Sequence, residues 1–462
     1  MSFQRPQRFA RTLTLGTALA LLGAGAAQAQ SLQELYGAAR GFDANYLSAR
    51  ALLGSAQYRR DQTQAVRWPS VGLAATSVRQ LSSTPDSTST LNANTTASNV
   101  ALNGSQTLFN RSNDVSIAQA EKVLQGSQAD FLAAEQDLIL RVAQAYFNVL
   151  AAQDTLASAR GNQASISEQL ASAKRNFEVG TATITDTREA QARFDLARAN
   201  EIVAANDLLT KRIGLDQLVG RTDVVPRPLA VPLALPLTVA PTDPSGVDAW
   251  VVRSDAEHPQ VINARLRLDQ ARLETEKARA GTLPTVALTA SYGRGHSSTA
   301  GEFVSSGVHQ ALPYANASRN TAASVGLRLD LPLFAGFAVQ NRIRETLALE
   351  DKFDNDLQAA RRGVAQDTRT AFYAVNSGNA RVAALEAAES SSKLALEATK
   401  LGYRVGVRVN LDVLNAEAQL FDTQAQLARA RYDLVIAGLR LRQASGRVTA
   451  DDVTVVNGLL VR

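Results

Sequence analysis

Arg175-Asn176-Phe177-Glu178-Val179-Gly180, followed by Ile184-Thr185-Asp186, returns later in the chain as Gly402-Tyr403-Arg404-Val405-Gly406, followed by Asp412-Val413-Leu414. From Phe177 to Gly220 and from Tyr403 to Gly446 the two stretches align without a gap, 226 residues apart, with Gly180/Gly406, Asp186/Asp412, Leu208/Leu434 and Gly220/Gly446 identical. One unit is used twice, and a repeat of this length decides the architecture before any single element does.

Working outward, the same spacing relates Ala145-Tyr146-Phe147 to Ala371-Phe372-Tyr373. It slips by one at Leu108-Phe109 against Leu333-Phe334, and shortens at Trp68-Pro69-Ser70-Val71 against Leu283-Pro284-Thr285-Val286. The slip places a loop between the Pro-containing tetrad and the Leu-Phe pair, longer in the second copy.

Between Ser112 and Arg175 there is no proline, and Leu138, Val142, Ala145, Val149, Ala152 and Leu156 step by four and three. That is a heptad seam on a helix of about 96 Å at 1.5 Å per residue. The second copy keeps it with smaller occupants: Val364, Thr368, Ala371, Val375, Gly378, Val382 and Leu385. Small residues suit close side-by-side packing, as in the wall of a tube. The Val179-Gly180 and Val405-Gly406 pairs are then hairpin turns, with glycine where a helix C-terminus calls for a left-handed residue. The return helices run antiparallel through Phe194, Ile202 and Leu208, or through Leu420, Leu427 and Leu434.

Upstream of each long helix lies a pair of alternating runs. Val71, Leu73 and Ala75 oppose Ser70, Gly72 and Ala74; Val100, Leu102 and Leu108 oppose Asn103, Ser105 and Thr107. In the second copy Val286, Leu288, Ala290 and Tyr292 form one apolar face, and Val325, Leu327, Leu329 and Leu331 oppose Ser324, Gly326, Arg328 and Asp330. Period two marks strands. The polar stretches Leu81 to Thr96 and Gly293 to Asn320 read as exposed loops. Arg328 and Asp330 are costly in a dry sandwich core but at ease along a wet lumen, so apolar-out and polar-in is the transmembrane barrel pattern. The competing reading is an edge hairpin of a soluble β domain. Trp68 and Tyr292 suit either an interfacial aromatic belt or packing between barrel and tube.

Four strands cannot close a barrel, and open edges in lipid leave backbone groups unsatisfied. The chain must pool its strands with two, three or four copies in all, giving eight, twelve or sixteen.

The ends and the middle punctuate the repeats. Arg5, Arg8 and Arg11 precede an apolar run closing in Ala27-Gln28-Ala29, a secretory signal over residues 1–29. Residues 30–220 form the first repeat: a helix over 31–66 begun by the Ser31/Glu34 capping box, a strand hairpin over 69–109, the long helix and its return. Residues 221–246 are a linker carrying Pro226, Pro228, Pro232, Pro236, Pro241 and Pro244, which cannot be helical. Residues 247–446 repeat the unit with a hairpin over 284–333, and in the tail, 447–462, Val453–Val456 and Leu459–Val461 are expected to add short strands beside the linker.

Composition narrows the function. Lys and Arg number 48 against 43 acids, so loss of the three leader arginines lowers the net charge from +5 to +2. With no basic cluster and interleaved aromatics, nucleic acid is excluded as a partner. There is no cysteine, hence no disulfide, thiolate metal site or acylated N-terminal anchor. His258, His296 and His309 are scattered, so no metal site is expected. No helix-length apolar run follows residue 30, so strands must carry any membrane insertion.

Taken together, signal, Pro-led strand pair, long helix, Val-Gly turn and return helix, all repeated, resemble the TolC family of outer membrane efflux and secretion channels over residues 31 to 446. The resemblance implies a mixed, mainly α fold: a trimeric twelve-stranded transmembrane β-barrel, four strands per chain, continuing into a long α-helical coiled-coil barrel. It implies a conduit and not an enzyme, without cofactor. Its partners would be two further copies, outer membrane lipid, a periplasmic adaptor protein and an inner membrane pump of the ABC, RND or MFS type. Val179, Gly180, Val405 and Gly406 would face the adaptor. Thr185, Asp186, Tyr403, Arg408 and Arg431 would link neighbouring hairpins into a closed gate, with Asp412 and Asn415 at the narrowest lumen and Asn415 replacing a family aspartate. Asp186 and Asp412 also suit the first turn of a helix on dipole grounds alone. The other function class is a trimeric adhesive stalk with a barrel anchor.

Overall fold

The computed structural model describes residues 30–86, 89–181, 183–230, 246–305 and 311–461. The expected signal segment and Pro232, Pro236, Pro241 and Pro244 of the linker lie outside these residues.

Ser31 and Glu34 cap the first helix reciprocally: Ser31 Oγ accepts from the Glu34 amide at 3.2 Å and Glu34 Oε2 from the Ser31 amide at 3.3 Å. That helix, α1 (Leu32–Phe42), stops where one helix to residue 66 was expected; α2 (Ala44–Gln64) and a single 3-10 turn follow. The break is Asp43, whose carboxylate accepts from the Tyr46 amide at 2.8 Å and so favours starting a helix over continuing one. It also receives Arg141 Nη1 at 2.7 Å and Nη2 at 3.0 Å.

This buried pair gives a first prediction. The hydrogen bond from Arg141 is the main cause holding the Asp43 carboxyl below its ordinary value, and Asp43 is only 7% exposed. Arg141→Met strands that charge and should cost about 3 kcal/mol. Because the folded value is the lowered one, the pair stabilises fully above pH ~4 and loses its effect as pH falls toward that value. Thermal dissociation of wild type and variant should therefore differ at pH 7, with the gap narrowing as the pH falls below about 4; a gap that does not depend on pH would remove the pair as its cause.

The first hairpin is β1 (Ser70–Pro85) with β2 (Ser89–Phe109), the second β3 (Thr285–Ser305) with β4 (Ala311–Asp330). The stretches expected as loops, 81–96 and 293–320, are largely strand. Ser, Thr and Asn leave both faces polar there, so the alternation disappears while the ladder continues, Thr84 pairing with Leu91 and Gly301 with Tyr314. Strands of 16 to 21 residues exceed the ~10 a tilted strand needs to cross a bilayer.

All strands form one antiparallel sheet in chain order, β2 joining β3. Cross-strand partners share a face, and Leu73–Leu102–Tyr292–Ala323 and Leu288–Leu327 place the apolar residues together. Thr107–Ala287–Arg328 and Asn103–Ser291–Ser324 lie on the other side, where Arg328 Nε donates to Asp330 Oδ2 at 2.8 Å. Leu108 departs from its expected place: a bulge between Thr107 and Phe109 brings Phe109, not Leu108, opposite Val286 on the apolar face.

Two helical hairpins complete the chain: α3 (Arg111–Glu178) with α4 (Ile184–Val219), and, after α5 (Gly246–Glu257) and α6 (Pro259–Ala280), α7 (Ala338–Arg404) with α8 (Asn410–Ala444). At 68 and 67 residues, α3 and α7 each reach about 100 Å. Near the sheet α2 and α6 flank α3, and α7 packs on α6; in the other half the order is α4, α3, α8, α7. Leu138, Val142, Val149, Ala152 and Leu156 are buried, as are Val364, Thr368 and Val375. At Gly378 an added Cβ would lie 3.1 Å from Leu434 Cδ1, so small seam residues do permit close approach. Ile202 is 58% exposed, contrary to expectation, because the buried stripe of α4 runs through Ala190, Ala197 and Ala204, two residues round the helix from it.

The largest core sits where α1, α3, α4 and α8 converge, with Tyr146 and Phe147 edge to face at 5.4 Å and Phe147 stacked on Tyr432 at 5.9 Å. The tail covers it. Val453–Val456, expected as strand, belong to helix α9 (Ala450–Asn457), begun by a Thr449/Asp452 capping box and burying Val453 and Val456. Leu460 does bridge Leu229, with Val461 N donating to Pro228 O at 2.9 Å.

Candidate gate at the hairpin tips

Both tips are closed by the same backbone device. Gly180 and Gly406 share φ = +80°, and a Cβ at either would meet nothing within 4 Å, so glycine serves backbone conformation here and not crowding. The Thr181 amide reaches back to Asn176 O at 2.8 Å, and Val407 to Gly402 O at 2.9 Å. Val179, Val405 and Val407 stand 72%, 66% and 77% exposed at the end of the molecule.

Behind the turns the copies diverge. Thr183 caps α4, its hydroxyl accepting from the Asp186 amide at 3.2 Å, while Asp186 Oδ2 accepts from Thr183 N and Oγ1 at 2.9 and 2.8 Å. Val409 stands where Thr183 does and caps nothing. Asp412 is consequently free of a capping box and lies 3.5 Å from Arg408 Nη1. Among the described residues Asp186 Oδ1 carries no hydrogen bond, and Thr185 is exposed beside it.

Within one chain Arg408 and Asp186 are not paired. Tyr403 packs with Leu396, Val413 and Leu420, and its hydroxyl accepts from Asn176 Nδ2 at 3.5 Å. Asn415 Oδ1 accepts from Arg193 Nη2 of α4 at 3.0 Å, a link between hairpins that local sequence gave no sign of. Arg431 Nη2 donates to Glu386 Oε1 at 2.9 Å across α7 and α8. Sequence reading also passed over Lys400 and Glu417, although Asn410, Glu417, Gln424 and Arg431 recur every seven residues.

A shaft of two helical hairpins, ended by polar-flanked turns and topped by an open-edged sheet with one apolar face, is a stave of a tubular membrane conduit. Among the described residues no helix is long and apolar enough to cross a membrane, and the sheet is the element fitted to it. A family model described as outer membrane efflux protein matches residues 35–221 and 250–447, the two repeats. Outer membrane protein TolC of Vibrio cholerae is 32% identical over 430 residues, 93% of each chain. The alkaline protease secretion protein AprF of Pseudomonas aeruginosa is 34% identical over 332 residues, 71% of this chain and 66% of that one. The outer membrane protein VceC of Vibrio cholerae shares the fold, with a TM-score of 0.72 at 19% identity over 90% of this chain and 96% of that one. The chain belongs to the outer membrane efflux protein family. The adhesive-stalk alternative finds no support among relatives named for efflux and secretion.

Proposed function

We propose that three copies close a twelve-stranded barrel in the outer membrane and a helical tube beneath it, forming an export conduit that works with a periplasmic adaptor and an inner membrane pump. The observation that carries this is the pair of unpaired sheet edges, β1 and β4, on a sheet whose apolar face is open: Leu73, Val325 and Leu327 are 72%, 78% and 68% exposed. Such edges demand partners in lipid, and β4 of one copy beside β1 of the next supplies them. Open flanks on α4 (Leu196, Val203, Leu209) and α7 (Leu394, Leu401) offer matching apolar surface for the tube. The AprF relative is named for protease secretion, so proteins and small molecules are both reasonable cargo. No catalytic role is assigned to any residue.

At rest the tips close through links between subunits: Arg408 to Asp186 Oδ1, left over by the capping box, with Thr185 and Tyr403 beside them, Arg431 linking further along α8, and Asp412 and Asn415 lining the narrowest lumen. The exposed Val179-Gly180 and Val405-Gly406 turns meet the adaptor. Reconstituted in a planar bilayer, the protein should give discrete channel events, and Arg408→Ser should raise the resting conductance several-fold with the trimer intact. Unchanged conductance removes Arg408 from the gate; absence of channel events in both proteins sinks the conduit reading.

A further inference from the structure

The α8 helix meets α7 through Val413, Glu417, Leu420, Gln424, Arg431 and Leu434, and Asn410 and Leu427 continue the same three- and four-residue spacing along α8. Apolar and polar layers alternate there. By contrast, the tip half of the α3–α4 seam is apolar, with Ile166, Leu170 and Ala173 against Ala190 and Ala197. Two of the polar layers reach the helix surface: Gln424 Nε2 donates to Glu389 Oε1 at 3.1 Å, and Arg431 meets a half-exposed Glu386.

Glu417 is different, being 0% exposed. Lys400 Nζ lies 2.6 Å from its Oε1, an ion-pair contact whose angle falls outside hydrogen-bond geometry, and among the described residues neither carboxylate oxygen has a hydrogen-bond partner. A buried carboxylate with a single counter-charge is held only while that ammonium is in reach. A shift of α8 past α7 by one turn, about 5.4 Å, breaks the contact and strands the charge. Single polar layers in apolar seams are a known means of setting register. The first copy lacks this device: Lys174 and Gln191 occupy the corresponding positions, and Gln191 turns to Asp195 on its own helix. Lys400 lies three residues before Tyr403, and Glu417 five after Asp412 and two after Asn415, so the register they set is that of the tip residues.

We propose that the ion pair between half-exposed Lys400 and buried Glu417 is a register pin of the α7–α8 hairpin, a positioning pair that holds Tyr403, Arg408, Asp412 and Asn415 at the height and rotation where the narrow end stays closed. The inference rests on the conduit reading. The test is resting conductance in planar bilayers, with trimer content measured in the same preparations. Lys400→Met and the near-isosteric Glu417→Gln should each raise conductance several-fold in intact trimers, and Lys400→Arg, which restores the charge, should conduct like wild type. Should Lys400→Met fail to assemble, Glu417→Gln with Lys400→Arg carries the comparison. Wild-type conductance in Glu417→Gln trimers, or a leak in Lys400→Arg as large as in Lys400→Met, overturns the pin. Silence of the wild type and of Arg408→Ser alike is failure of the conduit and not of the pin.

Discussion

Leu327→Arg is expected to abolish insertion into the outer membrane. Leu327 lies between Val325 and Leu329 on the apolar face, opposite Leu288, and is 68% exposed in the single chain. An arginine on the lipid face costs up to about 2–4 kcal/mol, the more the deeper it lies, and a trimer incurs it three times. The paired control is Ser324→Arg. Ser324 sits on the polar face, its hydroxyl 2.8 Å from that of Ser291, so the same charge should be tolerated there and alter only ion selectivity. Heat-modifiable trimer in purified outer membranes reads both variants. Tolerance of Leu327→Arg together with loss of Ser324→Arg would falsify the assignment of faces.

Gly446→Ala should destabilise the subunit far more than Gly220→Ala, although the two glycines occupy one position of the repeat. Both have left-handed backbones, φ +77° and +68°, so alanine costs about 1–2 kcal/mol at either from conformation alone. What a Cβ would meet differs. At Gly220 it falls 2.4 Å from the Phe42 ring, but Phe42 is 56% exposed and able to swing away. At Gly446 it falls 2.6 Å from Glu257 O and 2.8 Å from His258 Cα, main-chain atoms of the α5–α6 junction that cannot turn aside. Separating those segments adds overpacking of about 1–3 kcal/mol and disturbs the hydrogen bond from Gln136 Nε2 to Gly446 O, 2.8 Å long. The temperature at which the trimer dissociates should fall markedly for Gly446→Ala and slightly for Gly220→Ala; equal shifts would mean that the backbone contact yields.

Features with a local cause were legible in advance. The Ser31/Glu34 box, the Val-Gly turns and the heptad seam of α3 each depend on residues within a turn or two of one another, and each stands where it was expected. Where local signals compete, reading fell short. Asp43 within an amphipathic stretch gave no sign that its capping bond would prevail, and Ser, Thr and Asn looked like loop where a neighbouring ladder held them extended. The tail misled for the opposite reason: Val453 and Val456 are good strand formers, yet the Thr449 cap and one buried face make a helix.

The candidate gate divides along the same line. Asp186 could be placed in a first helical turn from its neighbours, whereas the Arg193–Asn415 link joins residues of different repeats and the Lys400–Glu417 pair joins two helices across a turn. From the chain alone follow the duplication, the faces of the strand halves nearest the helices save at Leu108, the seams of the two long helices and the turns, because periodicity and turn chemistry are set by residues adjacent along the backbone. Only the folded subunit decides that β2 lies beside β3, that α8 sits between α3 and α7, and which carboxylate is sealed from water. Those choices turn on burial summed over segments hundreds of residues apart, a quantity no local pattern contains.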